Sequence, residues 1–131
     1  MKLCIDTNIY SAFKRGNQDV VDLLEKTEEV LIPAIVLGEL YAGFNLGRHM
    51  KKNLSELYEF LKIPGIYVVE IDDRVAERYG NIIQILKNQG TPIPTNDIWI
   101  AATSIENNAK LLSCDKHFEH IPGSMLLRIS V

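Results

Sequence analysis

Residues 2–8, Lys-Leu-Cys-Ile-Asp-Thr-Asn, change abruptly from apolar to polar at Asp6. The segment Lys2–Ile5 is short and mostly apolar, which predicts a buried β-strand. Apolar side chains then recur at helical spacing from Ile9 until Gly16, and polar residues just before such a pattern are typical of a helix start. The N-terminal sequence therefore predicts a strand, a turn and a helix in that order.

The same alternation of strands and helices continues to the end of the chain. Further strands are predicted at Val30–Ile32, Ile66–Ile71, Ala109–Cys114 and Met125–Ile129. Helical patterns fall between them: one through Val20–Leu24, one that opens with Pro33, one from Met50 to Leu61, one capped by Asp72 or Asp73 that runs to Gly90, and one from about Asp97 to Asn107 with Thr95-Asn96 as its cap. The strands are almost continuously apolar and no hairpin turn joins them, so the fold class is α/β, with a mostly parallel central sheet covered on both faces.

Composition and cysteine usage limit the class of protein. The 131 residues are 47% hydrophobic and 24% charged, which fits one soluble domain over residues 1–131. Asp6 comes too early for the apolar part of a signal peptide and no apolar run suits a membrane span, so we expect a cytoplasmic protein. Cys4 and Cys114 lack metal-site spacing and suit a reduced setting. Both precede acids at strand ends, which suggests that they are neighbours in the sheet, but we still expect free thiols because the predicted location is reducing.

Net charge limits the class of protein less strongly than composition does. The formal net charge is −3, which argues against a protein that binds nucleic acid by bulk electrostatics. A nuclease stays open as a class, since bound divalent cations would offset its acids. Two basic stretches, Lys14-Arg15 and Arg48 with Lys51-Lys52, are either solvated helix faces or contacts for RNA.

Three acidic residues stand where a ligand site of an open parallel sheet would form. Asp6 and Asp115 each follow a predicted strand, and ligands of such sheets bind at the carboxyl ends of the strands. Asp97 opens a predicted helix and shares a face with Ala101, so a closely packed helix would carry it to the same crevice. Each has a structural alternative, because Asp6 and Asp115 also suit caps or turns and Asp97 suits the helix dipole. Trp99, on another side of that helix, is predicted to pack rather than to stack on substrate.

Glu39 is a fourth acid, in the helix that opens with Pro33. Ile35, Val36, Ala42 and Gly43 lie three or four positions away on its face of the helix. A carboxylate there is not expected to point freely into water, so it needs a bound metal ion or a basic partner in a buried salt bridge. Both alternatives remain open from the sequence.

A site with oxygen ligands alone favours hard cations such as Mg²⁺ or Mn²⁺ and disfavours Zn²⁺. Thr7, Asn8, Thr95 and Asn96 lie beside the acids and are predicted to orient carboxylates or water on the cation, although these residue types also serve turns and caps. His117 closely follows the last acid, and we interpret it as a surface-loop histidine rather than a ligand.

Taken together, these residues resemble the PIN-domain ribonucleases, and among them the VapC-type toxins of bacterial and archaeal toxin–antitoxin pairs. The resemblance extends over nearly the whole chain and rests on the order and spacing of these segments: Ile5-Asp6-Thr7-Asn8, Pro33 with Gly38-Glu39-Leu40 and Gly43, Ala76, Tyr79-Gly80, Gly90, Pro92-Ile93, Asp97, Ile100-Ala101-Ala102, and Ser113-Cys114-Asp115 with Phe118. Cys114 departs from the pattern, since a polar residue is more usual before this acid.

The resemblance implies a three-layer α/β/α sandwich and endonuclease activity on RNA. It implies a divalent-metal site formed by Asp6, Glu39, Asp97 and Asp115, and metal-assisted hydrolysis of phosphodiester bonds. It also implies a neighbouring antitoxin protein that blocks the site and, commonly, a homodimer.

Other functions fit the sequence less well. An aspartyl-phosphate phosphatase needs a second Asp where Asn8 stands, and a receiver domain needs paired early acids and a late lysine. A nucleotide-binding module needs a glycine-rich phosphate loop, and neither GxGxxG nor GxxxxGK[ST] occurs. A PIN-domain RNA-processing nuclease without an antitoxin stays open. An inactive PIN-like module that binds RNA or protein is disfavoured by the complete set of acids.

Overall fold

Five parallel strands form one sheet in the order β3-β2-β1-β4-β5 in the computed structural model, which covers residues 1–131. The elements follow one another as β1 Lys2–Ile5, α1 Thr7–Lys14, α2 Gln18–Lys26, β2 Glu29–Pro33, α3 Ala34–Leu46, α4 Met50–Leu61, β3 Ile66–Val69, α5 Asp73–Gln89, α6 Thr95–Glu106, β4 Lys110–Ser113, a short 3-10 helix Lys116–His120, and β5 Leu126–Arg128. All four strand pairs are parallel, so the carboxyl ends of the strands meet at one edge of the sheet.

Strand β1 lies at the centre of the sheet and of the apolar core. Leu3, Cys4 and Ile5 are all fully buried, although successive side chains of a strand point to opposite faces. Both faces of the sheet are therefore covered, which confirms the predicted three-layer α/β/α sandwich. The abrupt change to polar residues at Asp6 marks the point where the chain leaves this core.

Most element boundaries lie within two residues of the predicted ones. Helix α6 begins at Thr95 rather than Asp97, because Pro94 serves as its N-cap and its carbonyl accepts the Asp97 N–H at 3.1 Å. Thr95-Asn96 therefore forms the first turn of α6 and does not cap it. Pro33 closes β2 instead of opening α3. Gly90, with φ of +71°, ends α5 in the left-handed conformation that glycine adopts without strain.

Helices α5 and α6 pack closely, and this contact fixes the helix that carries Asp97. The rings of Tyr79 and Trp99 are stacked with centroids 3.9 Å apart. Arg78 pairs with Glu106 at 3.1 Å on the same pair of helices. Trp99 thus packs within the protein, as predicted.

The two cysteines are free, as predicted, but they are not neighbours in the sheet. The register pairs Cys4 with Leu111 in β4, and Cys114 lies three residues further on, beyond the end of that strand. The expectation failed because the sequence does not give the stagger between the two strands. No helix has both the length and the apolar content that a membrane crossing requires.

Candidate functional site

A small cavity of about 150 Å³ lies at the carboxyl ends of β1 and β4. Its lining includes all four acids singled out from the sequence: Asp6, Thr7, Asn8, Glu39, Asp97, Ile100 and Asp115. The common direction of the strands brings together residues that are more than one hundred positions apart in the chain.

Asp6 is held from two sides directly after β1. Its Oδ1 accepts a hydrogen bond from the Ile9 N–H at 3.0 Å, which caps α1, and its Oδ2 accepts one from the Ser113 hydroxyl at 2.5 Å. The residue is only 6% exposed. The sequence presented capping of a helix and a position in a ligand site as alternatives for Asp6. The Asp6 carboxylate both caps α1 and lines the cavity, and its two hydrogen bonds fix its orientation.

Asp115 lies two residues after β4 and is connected to the same serine. Its backbone N–H donates to Ser113 Oγ at 3.0 Å. Its own Oδ1 accepts the backbone N–H of His117 at 2.9 Å, which caps the 3-10 helix. Ser113 therefore links the two acids that follow the neighbouring strands β1 and β4.

Glu39 finds polar partners rather than a basic one. The Thr7 hydroxyl donates to its Oε1 at 2.5 Å, and the Asn96 side-chain amide donates to its Oε2 at 3.3 Å. No lysine or arginine forms an ion pair with Glu39, so the predicted alternative of a buried salt bridge is wrong. Its helix face is also less buried than expected, because Ala42 and Gly43 are exposed.

Asp97 lies in the first turn of α6 and faces His117. Nδ1 of His117 is 3.0 Å from Asp97 Oδ2 and 3.2 Å from Asp115 Oδ1. His117 lies at the surface, with a side chain that is 47% exposed, but its ring contacts two of the acids, which the sequence did not predict. The cap at Asp115 turns the chain into the 3-10 helix, and this turn brings the imidazole onto the acids.

Burial and mutual repulsion make two of the acids harder to ionise. The pKa of Asp6 is raised above 3.8, mainly by burial and also by the charges of Asp97 and Asp115, against the hydrogen bonds it accepts. The pKa of Asp97 is raised mainly by burial as well, with repulsion from Asp115 and Glu39 and a partial offset from His117. The carboxylates of the cavity therefore disfavour one another's ionisation.

This donor set fits a hard divalent cation. Four carboxylates surround the cavity, and His117 is the only cationic side chain that pairs with any of them. Carboxylate oxygens are the ligands that Mg²⁺ and Mn²⁺ prefer, and a bound cation would offset the repulsion between them. Asp97, Asp115 and His117 also offer three ligand atoms within 4.8 Å of one another.

The polar residues beside the acids behave differently from one another. Thr7 and Asn96 each donate a hydrogen bond to Glu39. Asn8 lines the cavity and is exposed. Thr95, at the exposed start of α6, forms no side-chain hydrogen bond with the acids and does not line the cavity.

The basic residues considered as RNA contacts do not line the acidic cavity. Lys14 Nζ is 3.0 Å from Glu56 Oε2, and Lys14 and Arg15 line a pocket that shares no residue with the acidic cavity. Three others lie around the start of α4 and are exposed: Arg48, Lys51 and Lys52. Their contact with RNA stays a prediction.

Sequence reasoning missed Ser113 and His117 as parts of the site. The sequence carried one signal for Ser113, a hydroxyl residue at the end of a strand that is otherwise apolar. It carried one for His117 as well, because an aspartate two residues before a histidine suits a capped turn that folds the ring back. Neither signal identifies the acid that the side chain meets.

The chain is similar to known proteins over most of its length. A family model described as PIN domain matches residues 3–124. The protein named Ribonuclease VapC2 from Rickettsia felis is 31% identical over 127 residues, with 93% of each chain covered.

Solved structures agree in fold. The structure of VapBC2 from Rickettsia felis, bound to a DNA fragment from its promoter, superposes with a TM-score of 0.88 at 28% identity, over 98% of both chains. The structure of VapBC-5 from Mycobacterium tuberculosis, described as a member of the VapBC family of toxin–antitoxin systems, gives a TM-score of 0.75 at 22% identity, over 99% of this chain and 98% of that one. At 22% identity, the similarity to VapBC-5 concerns the fold alone.

Proposed function

This chain belongs to the PIN-domain family, and we propose that it is a divalent-metal-dependent endoribonuclease, the toxin of a toxin–antitoxin pair. The observation that carries the proposal is the set of four carboxylates around one cavity, without a lysine or arginine partner. The ribonuclease name of a relative at 31% identity supports RNA as the substrate. We take residues 1–131 as a single PIN domain of a cytoplasmic protein.

In this proposal Asp6, Glu39, Asp97 and Asp115 hold Mg²⁺ or Mn²⁺. When bound, such a cation lowers the pKa of water and neutralises charge on the scissile phosphate. The protein's own contribution is orientation, because Asp6 accepts two hydrogen bonds and Glu39 accepts one from Thr7 and one from Asn96. The acids act as ligands and need not serve as general bases.

Cleavage of RNA by the purified protein tests the enzymatic part. Single-stranded and stem-loop RNA should be cut with added Mg²⁺ or Mn²⁺ and left intact in excess EDTA. Asp6→Asn should abolish cleavage, since the amide lacks the charge that the cation needs. Asp72→Asn is a matched control, because Asp72 caps α5 with the same 3.0 Å hydrogen bond but lies outside the cavity. Cleavage that persists in EDTA would refute metal dependence.

Growth assays test the proposed partner. Expression of the chain alone should slow growth, and co-expression with the protein encoded by a short neighbouring gene should relieve it. Asp6→Asn should remove toxicity, and equal toxicity of this variant would show that the effect does not arise from the site. Cleavage in vitro without any toxicity would favour an RNA-processing nuclease that has no antitoxin. A homodimer is also expected, and light scattering measures it.

Salt titration tests the proposed RNA contacts. Each lysine or arginine that neutralises a phosphate contributes about −0.7 to the slope of log affinity against log salt for single strands. Arg15→Gln should therefore make that slope shallower by about 0.7 if Arg15 contacts RNA. The same reasoning applies to Lys14, Arg48, Lys51 and Lys52, and an unchanged slope would make them solvated surface residues.

A further inference from the structure

The imidazole of His117 occupies the point at which two acids of the cavity converge. Its Nδ1 is 3.0 Å from Asp97 Oδ2 and 3.2 Å from Asp115 Oδ1, and the three ligand atoms lie within 4.8 Å of one another. We propose that His117 is a ligand of the site cation through Nδ1, and that this nitrogen makes the site prefer Mn²⁺ to Mg²⁺.

The separations match those of an octahedral metal site. With metal–ligand bonds of about 2.1 Å, adjacent ligand atoms of an octahedron lie about 3.0 Å apart. The two contacts of Nδ1, at 3.0 and 3.2 Å, are close to this value. Two of the three separations therefore suit ligands of one six-coordinate cation, and all three ligand atoms lie within 4.8 Å of one another.

Local structure holds the imidazole in place. The backbone N–H of His117 donates to Asp115 Oδ1 at 2.9 Å, so the residue and one of its partner acids belong to the same capped turn. The next residue, Phe118, is 1% exposed and anchors the 3-10 helix in the core. A histidine fixed in this way loses little conformational freedom when it binds a cation.

The second ring nitrogen is free to carry the proton. Nε2 of His117 has no hydrogen-bond partner in the protein, and the side chain is 47% exposed. Water can therefore accept a hydrogen bond from Nε2–H, and the tautomer with a lone pair on Nδ1 is available to bind a metal ion.

Nδ1 of His117, as a ligand, changes which cation the site prefers. Mg²⁺ prefers oxygen ligands and retains its water molecules, whereas imidazole nitrogen suits first-row transition metals. The carboxylates alone accept Mg²⁺ and Mn²⁺ alike, so the difference between these two cations depends on His117. This inference rests on the proposed metal-dependent function and concerns the composition of the same site.

Calorimetric titration of the metal-free protein with Mn²⁺ and with Mg²⁺ measures the preference directly. His117→Gln should weaken Mn²⁺ binding by about tenfold or more and should change Mg²⁺ binding by less than about threefold. His120→Gln is the matched control, because His120 lies in the same 3-10 helix and is exposed, but it forms no ion pair with Asp97 or Asp115. It should leave both affinities unchanged.

Pulsed electron paramagnetic resonance supplies a readout that does not depend on activity or affinity. The Mn²⁺ complex of the parent should show modulation from a directly bound ¹⁴N nucleus, and the His117→Gln complex should lose it. Mn²⁺ binding without ¹⁴N modulation in the parent, or equal affinities of the parent and His117→Gln for Mn²⁺, would overturn the assignment and leave the proposed nuclease intact. A protein that binds neither cation would refute the metal site itself, and the His117 assignment with it.

Discussion

The hydroxyl of Ser113 donates a 2.5 Å hydrogen bond to Oδ2 of Asp6, across the junction between β1 and β4. Oγ of Ser113 also accepts the backbone N–H of Asp115, at 3.0 Å. Ser113 is fully buried, so water cannot take the place of either hydrogen bond. One small side chain therefore fixes the relative position of two acids from separate strands.

Replacement of this serine should affect both stability and metal binding. Ser113→Ala leaves a buried carboxylate oxygen and a backbone N–H without partners, so we expect the free energy of unfolding to fall by about 2 to 3 kcal/mol. Metal affinity should fall by about 10- to 100-fold, as is usual when a residue that orients a ligand is lost. Urea denaturation and calorimetric titration with Mg²⁺ measure the two effects.

Ser104→Ala provides the control for Ser113→Ala. Ser104 is 2% exposed, and its hydroxyl donates to the Ala109 carbonyl at 2.9 Å, outside the cavity. This variant should lose about 1 kcal/mol of stability and keep its metal affinity. Equal effects of both variants on metal binding would show that Ser113 acts only through general stability.

Asp97→Asn separates a metal ligand from a structural acid. Burial and the neighbouring carboxylates raise the pKa of Asp97, so its ionised form costs stability in the metal-free protein near pH 8. We expect the variant in EDTA to be as stable as the parent or more stable, by on the order of 1 kcal/mol. Added Mg²⁺ should then stabilise the parent more than the variant. Thermal melts in EDTA and in a Mg²⁺ titration measure both effects.

Asp19→Asn is the matched control for Asp97→Asn. Asp19 also lies in the first turn of a helix, α2, but it is exposed and outside the cavity. Its substitution removes a favourable interaction with the helix dipole, worth about 0.3 to 1 kcal/mol, and should not alter the response to Mg²⁺. A metal-free Asp97→Asn protein that is destabilised, with an unchanged response to Mg²⁺, would contradict a ligand role for Asp97.

The sequence predicted that Asp6, Asp97 and Asp115 lie close together, because each has a local signature, and all three line the same cavity. Asp6 and Asp115 stand where a buried apolar run stops, and Asp97 stands at the start of a helix with small residues. Strand direction then brings them to one edge, because a chain of alternating strands and helices folds with its strands parallel. The proximity of these three acids and the α/β architecture follow from patterns of this kind.

The contacts between site residues did not follow from the sequence. Ser113 meets Asp6 only because Ile5 pairs with Leu112, and this register is a property of two strands together. Asn96 reaches Glu39 across 57 positions of the chain, through the packing of α6 near α3. Hydrophobic periodicity indicates which face of an element is buried, but it does not give the stagger between elements.

The stacked pair of Tyr79 and Trp99 should be structural. The rings lie 3.9 Å apart between α5 and α6, and Trp99 packs against the apolar core. Trp99→Ala should therefore lower the free energy of unfolding by about 3 kcal/mol, and Trp99→Phe should retain most of that stability. Denaturant unfolding and RNA-binding titrations of both variants test this role. A stable Trp99→Ala protein with weakened RNA binding would instead make Trp99 a stacking contact for substrate.

The metal-free site should also make stability depend on pH. The pKa values of Asp6 and Asp97 are raised above 3.8, chiefly by burial, so the folded protein holds more protons than the unfolded chain at pH values above 3.8. The pKa of His117 is raised above 6.5, first by its hydrogen bond with Asp97 and also by the charge of Asp115. Stability falls with rising pH wherever the folded state binds more protons.

For His117 the stabilisation is fully present below pH 6.5 and is lost as the pH rises through the raised folded-state pKa. We therefore expect the melting temperature of the metal-free protein to fall between about pH 6.5 and pH 8, as the imidazolium that pairs with Asp97 and Asp115 loses its proton. His117→Gln should remove most of this fall, whereas His120→Gln should preserve it. Saturating Mg²⁺ should also reverse the trend in the parent, because the deprotonated site binds the cation more tightly. Thermal melts of the three proteins across this pH range, in EDTA and with Mg²⁺, measure each effect. A melting temperature of the metal-free parent that rises from pH 6.5 to pH 8, or a fall that His117→Gln leaves unchanged, would show that the imidazole does not stabilise the acids.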